Sequence, residues 1–173
     1  MKLYHGSTVE VRKPSLLRGR PNTDFGKGFY TTTCFEQAKR WAQIRQRRDK
    51  SNRAIVSIFD FDELVLDGNI YSIRRFNGVD SDWLNFVVSC RKQTLVHDFD
   101  IVMGPVANDR LYLTINMFEN GELSEEAAIL QLKSYKLFDQ LSFHKEKTLP
   151  LLSFIDALDV AVSDVSGLNN ITR

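Results

Sequence analysis

The sequence predicts an α+β fold, and three observations carry that prediction. Strand-length apolar runs and longer segments of helical spacing are interspersed without a regular strand–helix–strand alternation, which argues against a doubly wound sheet. The strand candidates concentrate aromatic and β-branched residues. The chain has 173 residues, 43% hydrophobic and 26% charged. That is enough for one domain, residues 1–173, with a real core.

The elements follow in order. Lys2 to His5 read as a first strand. Lys13 to Thr23 hold two prolines, Gly19 and the cations Arg18 and Arg20, a loop lying over or beside another part. Gly28 to Thr33 form a second strand. Thr33 and Glu36 have the spacing of a capping box opening a helix from Cys34 to about Lys50. Phe35, Ala38, Trp41 and Ala42 share one face of that helix. Ala54 to Phe61 are a strongly apolar strand, and Leu64 to Ile73 read as a strand pair turning at Asp67-Gly68. Ser81 to Lys92 form a helix with Trp83, Phe86, Val87 and Cys90 inward. Phe99 to Met103 are a buried strand stopped by Gly104-Pro105. A helix capped by Asn108 or Asp109 runs to Phe118, closed by Gly121. Ser124 starts a further helix to Tyr135. Gln140 to His144 are a late strand, Ser153 to Val162 a C-terminal helix, and the last residues fray.

Composition excludes several classes. The formal net charge of +1 gives no global pull toward nucleic acid or acidic membranes. Two cysteines, Cys34 and Cys90, lie far apart in apolar contexts, so neither a disulfide framework nor a metal spacing is expected. The three histidines His5, His97 and His144 make no metal cluster by spacing, and no metal is expected. No leader-like or membrane-length apolar run occurs, and a cytoplasmic protein with no membrane partner is the expectation. A phosphate-loop motif, HExxH, GxSxG and paired CxxC are all missing. Lys39, Arg40, Arg45, Arg47, Arg48 and Lys50 crowd the first long helix. They read as a solvated face complementing the helix dipole, or as a site for nucleic acid or an acidic partner.

Two N-terminal motifs carry chemistry. The first is His5-Gly6-Ser7 at a strand end. Such a His donates to a ribose hydroxyl from one nitrogen while the protein holds the other. The Gly lets backbone groups approach a planar carboxamide. The second is Asp24-Phe25-Gly26-Lys27-Gly28-Phe29-Tyr30, followed without a gap by the helix that bears Trp41. Tyr30 and Trp41 offer aromatic surfaces for a flat ring, or they are ordinary core aromatics. Lys27 is a phosphate contact or a solvated charge.

These motifs resemble the nicotinamide pocket of the poly-ADP-ribose polymerases. Over residues His5 to about Leu149 the chain is also similar to a bacterial family of unknown function, DUF3990. The resemblance implies an ADP-ribosyltransferase-like fold, with a split, bent sheet flanked by helices. It implies NAD as a substrate, ADP-ribose moved to a macromolecule and nicotinamide released. In that frame His5 binds the adenosine ribose and Gly6 the nicotinamide amide. Ser7 and Gly28 line the site, and Tyr30 and Trp41 flank the ring. Ala38 stands where other members place a Ser, so one hydrogen bond is missing. Gln140 occupies the third catalytic position, where other members carry Glu, giving His5, Tyr30 and Gln140. Gln supplies no negative charge, so Glu146, Asp24 or Asp109 remain candidates for the carboxylate. The run from Gly104 to Arg110 is expected to shape the acceptor site. The resemblance also suggests a toxin-like role beside a small neutralising protein. Two alternatives stay open: a non-catalytic NAD or nucleotide-binding module, and an NAD-dependent RNA 2′-phosphotransferase using Arg18, Arg20 and Lys27.

Overall fold

The structure, a computed structural model, describes residues 1–105 and 109–162, with Asp109 and Arg110 described by backbone alone. The strands are β1 (Lys2–Ser7), β2 (Phe29–Thr32), β3 (Ile55–Asp60), β4 (Ile73–Arg75), β5 (Ile101–Pro105), β6 (Asp139–Phe143) and β7 (Ser153–Asp159). The helices are α1 (Phe35–Arg48), α2 (Ser81–Arg91), α3 (Asp109–Glu119) and α4 (Glu125–Lys133). All seven strands join one mixed sheet in the order β4-β5-β6-β2-β1-β3-β7. The pair β4–β5 is parallel and every other neighbour antiparallel. The α+β class is therefore correct.

Strand alternation sorts the core. Leu3, Phe29, Leu141 and Phe143 face one side, with Phe59, Phe61 and Ile101, under short 3-10 turns. Tyr4, Gly6, Tyr30, Thr32 and Gln140 face the other. There α1 lies on β1 and β3 through Ala38, Ala42, Ala54 and Val56. The second helical layer, α2 to α4, packs on β5 through Trp83, Leu84, Leu111, Ile115 and Leu132 around Val102. The indole of the fully buried Trp83 donates to the Pro105 carbonyl at 3.2 Å, which satisfies the one polar atom such burial would strand. β2 and β6 lie between the strands these two layers cover.

Five expectations are corrected. There is no capping box. Thr33 stays on the sheet ladder, its amide donating to Asp139 at 3.2 Å, so Cys34 becomes the N-cap without a side-chain bond. Thr32 does the local work, accepting from the Cys34 amide at 3.1 Å and donating to Gln37 at 2.6 Å. The Leu64–Ile73 strand pair is a 3-10 turn, Glu63–Asp67, followed after a gap by β4. Asp62 caps the turn, and Gly68 has φ −82°, not the positive φ a tight Asp-Gly hairpin needs. Gly104 and Pro105 continue β5 rather than stop it, pairing with Gln140 and Asp139. β4 ends at the Met103 pair, so Pro105, with no amide hydrogen, sits where β5 has β6 as its only neighbour. Ser153–Asp159 is a strand, because β3 offers an unpaired edge. Trp41 leaves the inward face of α1 and is 41% exposed.

Other helix ends include the expected Ser124 cap and Gly121 closure, and an Asp80 cap absent from the sequence reading. Asp80 and Ser124 cap α2 and α4 by accepting from the Trp83 and Ala127 amides. Gly121 takes φ +75° just past α3. The expected cap at Asn108, most of the Gly104–Arg110 acceptor loop and the last residues lie outside the described residues. No helix among the described residues is long and apolar enough to cross a membrane.

Candidate functional site

The central geometric feature is an interrupted ladder. β1 pairs with β3 over six residues and β2 pairs with β6 over four, but β1 and β2 share one pair, Tyr4–Thr32. Continuing that register would set Gly6 opposite Tyr30. Instead the two strands part, and the His5 ring bridges them on the face that carries Leu3 and Phe29. It stacks on Phe29 with ring centroids 4.4 Å apart, and its Nδ1 lies 2.7 Å from the Tyr30 carbonyl.

That bond fixes the tautomer. A carbonyl only accepts, so Nδ1 carries the proton, and burial holds the His5 pKa below the ordinary histidine value. A neutral ring of this kind presents Nε2 as an acceptor. The sequence expectation that His5 donates to a ribose hydroxyl is reversed: Nε2 would accept from it. No protein hydrogen bond to Nε2 is seen among the described residues.

Gly6 has a packing reason of its own. A Cβ there would stand 2.1 Å from the Ala38 carbonyl oxygen and 2.9 Å from the Ala42 amide. The helix can cross this strand only over a glycine. Ser7 is 8% exposed, and its hydroxyl closes a local turn, donating to the Val9 carbonyl at 2.6 Å and accepting from the Val9 amide at 3.1 Å. A Cβ on Gly28 would meet His144 Nδ1 and the Phe143 carbonyl, each at 2.9 Å.

Tyr30 is half-buried and packs against the core beneath α2 to α4. Its phenol donates to the Gly26 carbonyl at 2.6 Å, accepts from the Phe25 amide at 3.0 Å and lies 2.9 Å from the Thr23 hydroxyl. Burial raises its pKa far above the usual tyrosine value. Gly26, at φ +79°, gives the loop the turn that wraps this hydroxyl. Trp41 is on the exposed flank of α1 with the Arg48 guanidinium 5.9 Å from its ring centre. No ring contact joins Tyr30 to Trp41 among the described residues, so no aromatic sandwich is preformed.

Gln140 is buried, at 5% exposure, and its side-chain amide donates to Asp24 Oδ2 at 3.1 Å. The sequence places Gln140 at the third catalytic position and offers Asp24 as one of several carboxylates. Of these carboxylates Asp24 is the one hydrogen-bonded to Gln140; it stands just ahead of the Phe25–Gly26 turn and is 4% exposed. Glu146 is exposed at the start of a 3-10 turn beyond β6. Four residues of strand separate Gln140 from His144, about 13 Å, so Glu146 serves the other end of the strand.

That other end holds a histidine pair the sequence did not foresee. The His144 and His97 rings meet edge-to-face at 4.6 Å. His144 gives Nδ1 to the Lys27 carbonyl at 2.9 Å and takes the Ser142 hydroxyl on Nε2 at 2.8 Å. His97 Nε2 donates to the Phe25 carbonyl at 2.8 Å. Burial pushes the His144 pKa down to about 4. Both rings thus brace the Phe25–Lys27 segment that shapes the Tyr30 site. No group of three or more His, Cys, Asp or Glu side chains suited to a metal ion occurs among the described residues.

A family model described as "Protein of unknown function (DUF3990)" matches residues 1–154, and the chain belongs to that family. No curated protein and no solved structure matches it.

Proposed function

We propose that this member of the DUF3990 family is an ADP-ribosyltransferase that binds NAD at the opening between β1 and β2. One observation supports this above the others. The β1–β2 ladder ends at Tyr4–Thr32, leaving Gly6 and Tyr30 on the two parting strands, with His5 hydrogen-bonded across to the Tyr30 carbonyl from the other face of the sheet. These are the residues that the transferase resemblance assigns to the carboxamide, the ring face and a ribose.

In this reading the His5 Nε2 lone pair accepts from a ribose hydroxyl. Backbone groups of Gly6 hold the carboxamide, and the exposed Trp41 closes on the ring from α1. Ala38 has no hydroxyl to add. The bond between nicotinamide nitrogen and ribose C1′ breaks, C1′ gains positive charge, and an acceptor atom of a macromolecule bonds to C1′ and loses its proton. Gln140 keeps a carbonyl oxygen as a ribose acceptor, since its amide nitrogen is committed to Asp24. The Asp24 carboxylate, one hydrogen bond behind it, supplies the negative charge that the amide lacks.

A cytoplasmic, toxin-like protein with a small neutralising partner fits this reading. The Asp24–Gln140 pair also favours a second one, a non-catalytic NAD-binding module, because the carboxylate is screened by the amide. One experiment separates them: calorimetric titration with NAD, with nicotinamide release followed by chromatography. Binding with release supports the transferase, binding without release the module, and no binding contradicts both.

A further inference from the structure

Beyond the NAD opening, α1 carries a second surface. Lys39, Arg40, Gln43 and Arg47 recur at spacings of three and four and form one stripe. Trp41, Arg45 and Arg48 fall on another. Lys136 and Phe138, in the segment between α4 and β6, face the first stripe across a groove of about 520 Å³.

The positive charge of this groove is only partly compensated. Arg45 and Arg48 are both spent on Asp49, away from it. Lys39 is 3.8 Å from Glu36, the one carboxylate in the lining. Among the described residues Arg40, Arg47 and Lys136 make no ion pair. Arg47 Nε is tied to the Gln43 carbonyl at 3.4 Å, which leaves its terminal nitrogens for a ligand. Four cations against one carboxylate, on a chain of net charge +1, make this a local feature and not a consequence of composition. The groove also has a flat apolar element, the half-buried Phe138 ring, with the Lys136 ammonium 5.4 Å from its centre.

We infer that this groove binds a single-stranded nucleic acid. Phosphates along the strand meet Arg40, Arg47, Lys39 and Lys136, and a base stacks on Phe138. Cations beside an aromatic match an unpaired strand better than a duplex, whose bases are stacked away, or an acidic peptide, which offers no ring. The assignment stands apart from the NAD reading, because strand binding requires nothing at the β1–β2 opening.

The test is fluorescence anisotropy with fluorescein-labelled U12 and dT12, and a labelled twelve-residue polyglutamate peptide, from 50 to 300 mM salt. The wild-type protein is expected to bind at least one oligonucleotide, with log K falling against log salt at a slope of roughly −2 to −3 for three to four phosphate contacts. Arg40→Ala/Arg47→Ala is expected to weaken binding at least tenfold and to reduce the slope by about 1.4. Lys136→Ala should weaken it threefold or more, and Phe138→Ala about fivefold. Lys92→Ala, which removes a remote surface charge, should change affinity less than twofold. Thermal melts establish that each variant is folded, and the two cation variants lie on exposed side chains that the core does not need. Three results would overturn the inference: no oligonucleotide binding at 50 mM salt, equal weakening by Lys92→Ala, or peptide binding as tight as that of U12.

Discussion

Gln140 and Asp24, 116 residues apart, meet in a buried hydrogen bond of 3.1 Å between a side-chain amide and a carboxylate. The bond ties the late strand β6 to the loop that carries the Phe25–Lys27 turn. It also explains why Gln, not Glu, is tolerable at this position: the neighbouring carboxylate is already there. Two buried carboxylates this close cannot both ionise without cost. Gln140→Glu is therefore expected to destabilise the fold by about 1–3 kcal/mol at pH 7. Adding Asp24→Asn should recover most of that loss, because the donor and acceptor are exchanged. Urea unfolding of the single and double variants measures it. An unperturbed Gln140→Glu protein contradicts the pairing.

Among the described residues, Gly6 is the tightest helix–strand contact that a glycine explains. Gly6→Ala places a methyl 2.1 Å from a backbone oxygen of α1, and backbone cannot swing aside as a side chain does. Losses of about 3 kcal/mol or more are expected, as thermal unfolding would show. A variant with wild-type melting would mean that α1 does not cross β1 here.

His144 makes stability depend on pH. The unfolded chain takes up its proton near the ordinary value of 6.5, whereas the folded chain does so near 4. Between those values the unfolded state holds more protons, so stability rises with pH and falls as pH is lowered. The window contributes on the order of 3 kcal/mol between pH 6.5 and 4. His5, its pKa also lowered by burial, acts in the same direction. Denaturation midpoints between pH 7.5 and 4 should show the slope, reduced by up to one proton in His144→Gln. An unchanged slope in that variant would move the effect elsewhere.

Tyr30 has a hydroxyl with three neighbours and a ring with its own role. Tyr30→Phe leaves the Phe25 amide without its acceptor and removes one of the two donors to the Gly26 carbonyl, which keeps the Thr23 hydroxyl, a cost of about 1–3 kcal/mol in stability. It keeps the aromatic face, so NAD affinity per folded molecule should hold within about threefold. Tyr30→Ala should lose about 1–3 kcal/mol of NAD affinity. Calorimetry on both variants separates the two roles, and equal NAD affinity in both would remove the ring from the site.

Much of this arrangement is legible in the sequence where local chemistry decides. His5-Gly6, the glycines around Lys27 and the Phe29–Thr32 run announce two strands and a turn, and the cap at Ser124 follows ordinary side-chain chemistry. Legibility fails where a distant partner decides. Thr33 has every local reason to cap α1 but is claimed by Asp139. Ser153–Asp159 reads as a helix because its apolar residues depart from strict alternation. The cause is a bulge: Ile58 pairs with Asp156 and Phe59 with Phe154, which skips Ile155. The Asp24–Gln140 bond and the His97–His144 contact span long sequence separations, and no spacing rule predicts them. The split between β1 and β2 is invisible in either strand alone, because it is the end of a ladder.

The proposed transferase activity requires NAD to occupy the opening where β1 and β2 part. A crystal structure of the protein soaked with NAD or nicotinamide tests it most directly. The nicotinamide ring is expected between Gly6 and Tyr30, its carboxamide on the Gly6 backbone, and a ribose hydroxyl donating to His5 Nε2. A nicotinamide bound elsewhere, or an opening that stays empty at saturating NAD, contradicts it.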